Sequence, residues 1–296
     1  MKKTTIITHS GNFHTDDIFA VATLKLLMPD AEVVRSREKD IVKTGDFLVD
    51  VGEEYDEEKN HFDHHQKGFA GERTNGVLYA SFGLVWKKYG EKVCGSKLVA
   101  DRIERRLVTP IDAYDNGINL FTSTIEGLVP YTIEQYVTSF YPTWKEKEVN
   151  NDAVFMELEK FAEELLKREI KKTQSIIDAM NVIEEVYNES VDKRVIVLED
   201  RFPLEAIDVL TKYPEPMFVV KPSEQGESWK ANTIRYNIRF FGSRKDFPKS
   251  WAGKRDHELA EISGVPDASF CHNKMFLVVA KSKEGAIALA KKAVED

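Results

Sequence analysis

Cysteine is scarce in this chain: two residues in 296, Cys94 and Cys271, far apart and in different contexts. That excludes a disulfide framework and a cysteine-based zinc site. No apolar run approaches the roughly 18 uncharged residues of a membrane span. The start, Met1 to His9, has only Ile6 and Ile7 as strong apolar residues before a polar loop, so it lacks the apolar core of a signal peptide. The expectation is a cytoplasmic protein with no membrane contact. Positive charge is also short, with 42 Lys and Arg against 50 Asp and Glu and a net charge of −8. Indiscriminate coating of nucleic acid, which needs a basic surface and counterion release, is thereby excluded. Internal repeats and low-complexity segments are absent.

What is present is an ordinary globular composition, 42% apolar and 31% charged, long enough for two domains with real cores. Thr4 to Thr8 is a β-branched run ended by a Gly-containing loop, and it reads as a buried strand feeding a helix that starts near Asp16. Ala31 to Arg35 and Phe47 to Val51 read as further strands, and the alternation of strand and helix implies a parallel α/β sheet. Helical patterns follow over 76–88 and 96–107. Residues 151–188 read as one long or twice-broken helix, with Phe155, Leu158, Ala162 and Leu165 on one face. Strands return at 195–198, 217–220, 233–241 and 275–280, with a closing helix over 284–294, which makes a second α/β domain. The expected division is 1–190, including a helical linker over about 130–190, and 191–296. The apolar face from Val77 to Trp86 suits either core or a subunit interface, so a homodimer stays open.

Charge is unevenly placed. From Lys221 to Arg255 nine Lys or Arg face three acids, which suits a grip on phosphate opposite an acidic metal site, or else a solvated surface. If Arg239, Arg244 and the aromatic Tyr236 or Phe240 line a cleft, they grip a single strand through phosphate contacts and stacking.

The most specific signal lies in the first 65 residues, which hold five of the seven histidines. His9, His14 and Asp16 share one loop after a strand, with Gly11 allowing a tight turn there. Asp50 closes a strand and is followed by Gly52. Asp63-His64-His65 comes next. A two-metal hydrolase needs ligands for each ion, a bridging carboxylate and an activated water. Asp50 is the candidate bridge, His64 the imidazole ligand of the third loop, and Asp63 either fixes the His64 tautomer or ligates directly. Mixed imidazole and carboxylate donors suit Mn²⁺, Fe²⁺, Co²⁺ or Zn²⁺, whereas an all-oxygen site suits Mg²⁺.

The ordered set His9, His14-Thr15-Asp16, Asp50, Asp63-His64-His65 resembles the DHH phosphoesterase superfamily, which includes RecJ-type exonucleases, short-RNA nucleases and family II inorganic pyrophosphatases. The first loop is one residue longer than in that superfamily, and His14 stands where its first Asp is. The match is closer to the Myg-type family of DHH-like metal-dependent hydrolases. Its pattern is similar to Thr8 to Asp17, Val49 to Gly52, Phe62 to Gln66 and Ile111 to Gly117, and in the C-terminal half to Trp251 to Asp256, Glu261 to Pro266 and Phe270 to His272.

The resemblance implies an N-terminal parallel-sheet DHH-type domain, a helical linker and a smaller C-terminal α/β domain, with the active site in the cleft between domains. It implies Asp115, in Asp115-Asn116-Gly117, as a further metal ligand in preference to Asp112. His65 is implied as a substrate-facing histidine that orients phosphate or protonates a leaving group, and Arg255 and His272 as substrate contacts from the second domain. The expected activity is that of a phosphoesterase with two divalent ions, Mn²⁺ foremost and Mg²⁺, Co²⁺ or Zn²⁺ as alternatives. It acts as a 3′–5′ or 5′–3′ exonuclease on single-stranded RNA or short oligonucleotides. The alternatives are a pyrophosphatase-like phosphohydrolase, a one-zinc N-deacetylase, suggested by His14-Thr15-Asp16-Asp17, and a non-catalytic RNA-binding protein.

Overall fold

Short β-branched segments, each ended by a polar loop, build the first sheet. In the computed structural model, which describes residues 3–68, 70–223, 227–236 and 242–296, the chain forms two compact units, Met1–Gln174 and Ser175–Asp296. In the first unit Thr5–Thr8 (β1) leads into the helix Thr15–Leu27 (α1), then Glu32–Arg35 (β2), the short helix Lys39–Val42 (α2), Phe47–Val49 (β3), Tyr55–Asp56 (β4) and His61–Phe62 (β5). The strand order is β2-β1-β3-β5-β4. The first three pairings are parallel, and β4 runs antiparallel to β5 at the edge. The sheet is therefore mixed, with one reversed edge strand added to the expected parallel core. The parallel strands β1, β3 and β5 end side by side, and the loops that follow them carry His9, Asp50 and Asp63 to His65. Ligands in parallel sheets gather beyond such carboxyl ends.

Ten consecutive residues of α1, Thr15 to Leu24, are buried, because the sheet lies on one side and Ser81–Cys94 (α3) on the other. Phe19 meets Phe82 at 5.5 Å between ring centroids, and Phe82 meets Trp86 edge-on at 5.8 Å. The apolar face from Phe82 to Trp86 is thus core of this unit. The helix expected from Gly76 begins only at Ser81, because residues 71–79 fold back on themselves: Tyr79 N donates to Gly71 O and Arg73 N to Val77 O. Lys97–Ile103 (α4) continues through a π-helical turn, Glu104–Val108, into Thr109–Asp115 (α5), so the helix expected to stop near Leu107 runs on to Asp115. Gly117, at φ 73°, stops it, and Ile118 N caps the Ala113 carbonyl. Ile133–Thr138 (α6) starts with a reciprocal cap between Thr132 and Gln135. Asn151–Glu189 (α7) is one unbroken helix of 39 residues.

In the second unit the strands Val195–Val197 (β6), Phe218–Pro222 (β7), Trp229–Thr233 (β8), Ala268–Cys271 (β9) and Leu277–Ala280 (β10) form a sheet in the order β6-β7-β8-β10-β9. Only β6 and β7 are parallel. The strand expected over 233–241 lies earlier, ending at Thr233, and residues 237–241 lie outside the described residues. The helices are Leu204–Ile207 (α8), Asp256–Ser263 (α9) and Lys283–Glu295 (α10). Phe218, Phe247, Leu259 and Leu289 anchor an apolar core between the sheet and α9 and α10. Among the described residues no helix is long and apolar enough to cross a membrane.

Candidate metal centre

Asp50 follows β3 with φ 54°, a left-handed conformation that few residue types tolerate and that Asp adopts more readily than most. Its side chain is 1% exposed, and its two oxygens face different histidines. Oδ2 lies 3.2 Å from His9 Nε2, while Oδ1 lies 3.3 Å from both His64 Nε2 and His65 Nδ1. Three groups of donor atoms, each with all members within 4.8 Å of one another, follow from this placement: His9, His14 and Asp50; Asp50, His64 and His65; Asp16, His64 and Asp115. Asp50 belongs to two of them and His64 to two.

The donors fit divalent ions. His9 Nδ1 lies 3.3 Å from the Ser10 carbonyl; with its proton there, Nε2 is left with a lone pair. Buried His9 Nε2, His64 Nε2 and Asp17 Oδ2 all lack hydrogen-bond partners, yet each faces this cluster. Leaving such buried groups unpaired is costly, and a cation among them satisfies all three.

The carboxylates are held by the start of α3. Ser81 N and Phe82 N donate to Asp16 Oδ2 and Oδ1 at 3.1 and 2.7 Å, Gly83 N donates to Asp112 Oδ1 at 3.0 Å, and Ser81 Oγ donates to Asp50 Oδ1 at 3.2 Å. Amide groups that a helix end leaves unpaired thus hold acids from α1 and α5 in place. A Cβ on Gly83 would lie 1.8 Å from Asp112 Oδ2, so only glycine fits there. Asp112 is also paired with Arg73 at 2.8 Å, which gives it a tethering role, while Asp115, one helical turn further on, reaches His64 at 3.3 Å.

Burial pushes the Asp16 carboxyl well above its usual range, Asp115 adding to the effect, and raises Asp115 itself, His64 opposing. It takes Asp17 and Asp112 up to about 7, against the opposing pull of His9 on the first and Arg73 on the second. At Asp50 burial acts the same way, but the close approach of the His64 and His9 rings outweighs it and holds that carboxyl well below the usual range. Burial lowers His14. The hydrogen bond that His65 donates to the Asp63 carboxylate pushes its imidazole up to about 9. Crowded acids of this kind are what a cation relieves.

The hydrogen bonds of the Asp63 carboxylate run to His65 and Glu53. Its Oδ1 accepts from His65 N at 3.0 Å and lies 2.8 Å from His65 Nδ1, and its Oδ2 accepts from Glu53 N at 2.6 Å. It therefore orients His65, which is 57% exposed at its side chain. Together with His14, Asp16, His64, Tyr114, Asp115 and Tyr141, His65 lines a cavity of about 450 Å³. Two participants were not among the site residues expected from the sequence. Asp17, fully buried, lies 3.2 Å from His9 Nε2 and accepts from His14 N at 2.8 Å; its place beside Asp16 was the available signal. Ser81, 31 residues beyond Asp50, gave none.

The residues expected to contact substrate from the second unit have local partners there. Arg244 donates to the carbonyls of Thr211 at 2.8 Å, Pro216 at 3.0 Å and Tyr213, so its guanidinium is held by the segment that precedes β7. Arg255 lies over the Phe270 ring at 4.7 Å, and His272 lies 4.2 Å from the Phe276 ring and accepts from Lys274 N. Arg239 and Phe240 lie outside the described residues.

A family model, MYG1_exonuc, described as an uncharacterised protein family (UPF0160), matches residues 5–294. The chain belongs to this family, as the motif resemblance implies. A MYG1 protein of Saccharomyces cerevisiae is 34% identical over 323 residues, covering 97% of this chain and 94% of that protein. The MYG1 exonuclease of Homo sapiens is 28% identical over 318 residues, covering 96% of this chain and 84% of that one. A crystal structure of RecJ with Mn²⁺ from Thermus thermophilus aligns with 99% of this chain at 10% identity and a TM-score of 0.28, too low to bear on the site; the chain spans 52% of its length.

Proposed function

We propose that the protein is a metal-dependent phosphodiesterase, an exonuclease on single-stranded RNA or short oligonucleotides that holds two divalent ions, Mn²⁺ foremost. The observation that carries this reading is the placement of Asp50, whose two oxygens face separate sets of histidines. His9, His14 and Asp50 form one set of ligands, and Asp16, His64 and Asp115 the other. Divalent ions held by these residues would supply Lewis-acid activation of a water and offset for negative charge on the phosphate. Asp16 is fixed by two amide groups of α3. His65, held by Asp63 and open to the cavity, orients the phosphate and holds a proton for the departing oxygen.

A nucleic acid is favoured over pyrophosphate by a second cavity of about 710 Å³, which shares Ile111, Tyr114 and Glu134 with the first. The rings of Tyr114 and Phe121 are half-exposed in it. They suit the stacking of bases, and pyrophosphate has no flat face to offer them. Relatives named MYG1 exonuclease point the same way.

The test is release of mononucleotide from 5′- and 3′-labelled RNA oligomers by metal-free protein given Mn²⁺, with Asp50→Asn and pyrophosphate alongside. Stepwise release is expected, with its direction read from the labels, and the loss in Asp50→Asn is on the order of a thousandfold. Titration should find about two Mn²⁺ per chain. Rapid phosphate from pyrophosphate with intact RNA, or a retained rate in Asp50→Asn, overturns the reading.

A further inference from the structure

The loop between His9 and His14 has no secondary structure of its own, yet each of its four carbonyls is taken by a side chain. Ser10 O accepts from Arg37 Nε at 3.2 Å, Gly11 O from Arg35 Nη2 at 3.0 Å, and Asn12 O from the same Nη2 at 3.5 Å, while Phe13 O accepts from the Tyr141 hydroxyl. Arg35 is the centre of this arrangement. Its side chain is 2% exposed, its Nη1 donates to Asp152 at 2.7 Å, and its guanidinium lies over the Phe155 ring at 4.7 Å. A fixed, planar fork is thus seated between an aromatic face at the start of α7 and two successive carbonyls of the loop.

We infer that Arg35 is a positioning residue for the metal centre, a clamp that sets the spacing of His9 and His14 before any ion arrives. The inference rests on the two-metal reading above. Gly11 sits at the exposed tip of this loop at φ 94° with nothing within 4 Å of where a Cβ would stand, so the backbone turns tightly there without packing of its own. An exposed loop of this kind samples many conformations, and ordering it at the moment of binding costs affinity. Arg35 supplies the order beforehand. A lysine keeps the charge but lacks the planar fork that directs bonds to two adjacent carbonyls. Tyr141 reinforces the clamp from the opposite end of the loop, its ring edge-on to Phe13 at 5.2 Å.

The test measures Mn²⁺ binding by calorimetry, without substrate, on the full chain and on the variants Arg35→Lys, Tyr141→Phe and Asp152→Asn. Arg35→Lys is expected to weaken binding about 10- to 100-fold, the range seen when groups that orient metal ligands are removed. Tyr141→Phe should weaken it severalfold. Asp152→Asn removes only the outer ion pair, whose carboxylate is 63% exposed, and should leave binding within about twofold. Faster amide exchange at residues 10–13 in Arg35→Lys, with exchange across β1 unchanged, separates loop loosening from general unfolding. Folded Arg35→Lys that binds Mn²⁺ as the parent does overturns the clamp and leaves the two-metal reading standing. A parent that binds no Mn²⁺ overturns both.

Discussion

Fifteen buried polar or charged side chains among the described residues lie in the first unit, against two, Lys221 and Ser263, in the second. The second unit buries ring and aliphatic side chains, and its one buried lysine donates to the Phe202 carbonyl. The first packs a sheet and helices equally well, yet beyond the ends of β1, β3 and β5 it gathers Asp16, Asp17, Asp50, His9 and His64 out of water. Burying such groups without compensation is unfavourable. The contrast teaches that one unit is built for its own cohesion, whereas the other keeps an electrostatic deficit at the ends of its strands that a cation fills. Acids that an ion later satisfies make the unliganded state less stable than it need be, a known cost of function.

The sharpest way to break the comparison is from the second unit. Phe218→Ala, at a fully buried site, should lower stability in urea by about 3–5 kcal/mol, with Mn²⁺ affinity unchanged; a matching loss of affinity would erase the contrast. Next, Mn²⁺ at about a thousand times its Kd should stabilise the protein by about 4 kcal/mol. Slowed amide exchange in α1 but not in β7 would place that gain in the first unit, and equal slowing in both would refute it. Gly83→Ala forces a methyl against the Asp112 carboxylate and should cost about 2–3 kcal/mol, read as a lower midpoint in the same titration.

The smallest effect concerns Glu159 in α7. Burial, aided by the adjacent Glu163, pushes its carboxyl up to about 8 from the usual 4.5. The folded state therefore favours the neutral acid. That contribution is complete below pH 4.5 and is lost as pH rises through 8. Glu159→Gln should be close to the parent at pH 4.5 and more stable at pH 9, by about 1 kcal/mol or more. An unchanged difference between those two pH values would show that the group ionises freely.

How far the sequence could be read follows from the range of each interaction. β1, β3 and the motif residues His9, Asp50 and Asp63 to His65 were legible because a strand and the loop it feeds are adjacent in the chain. The partners that fix them are not adjacent. Ser81 and Phe82 reach Asp16 across 65 and 66 positions, Asp152 reaches Arg35 across 117, and Tyr141 reaches Phe13 across 128. No local pattern marks such a pair. The same limit applies to basic residues: the excess near Arg244 was visible, but only the fold shows its guanidinium turned onto three carbonyls. The helix expected at Gly76 failed for a related reason, since the pairing of residues 71–79 overrode local apolar spacing.

The donor set has one more implication, for the supply of metal. Imidazole and carboxylate groups hold Zn²⁺ and Cu²⁺ more tightly than Mn²⁺ along the divalent series, and neither free cysteine lies among them to favour a softer ion. Affinity alone does not pick the working metal at such a centre. Which ion the protein carries is therefore a record of what its surroundings offered, and the metal content of freshly isolated protein becomes a reading of the host's available pool.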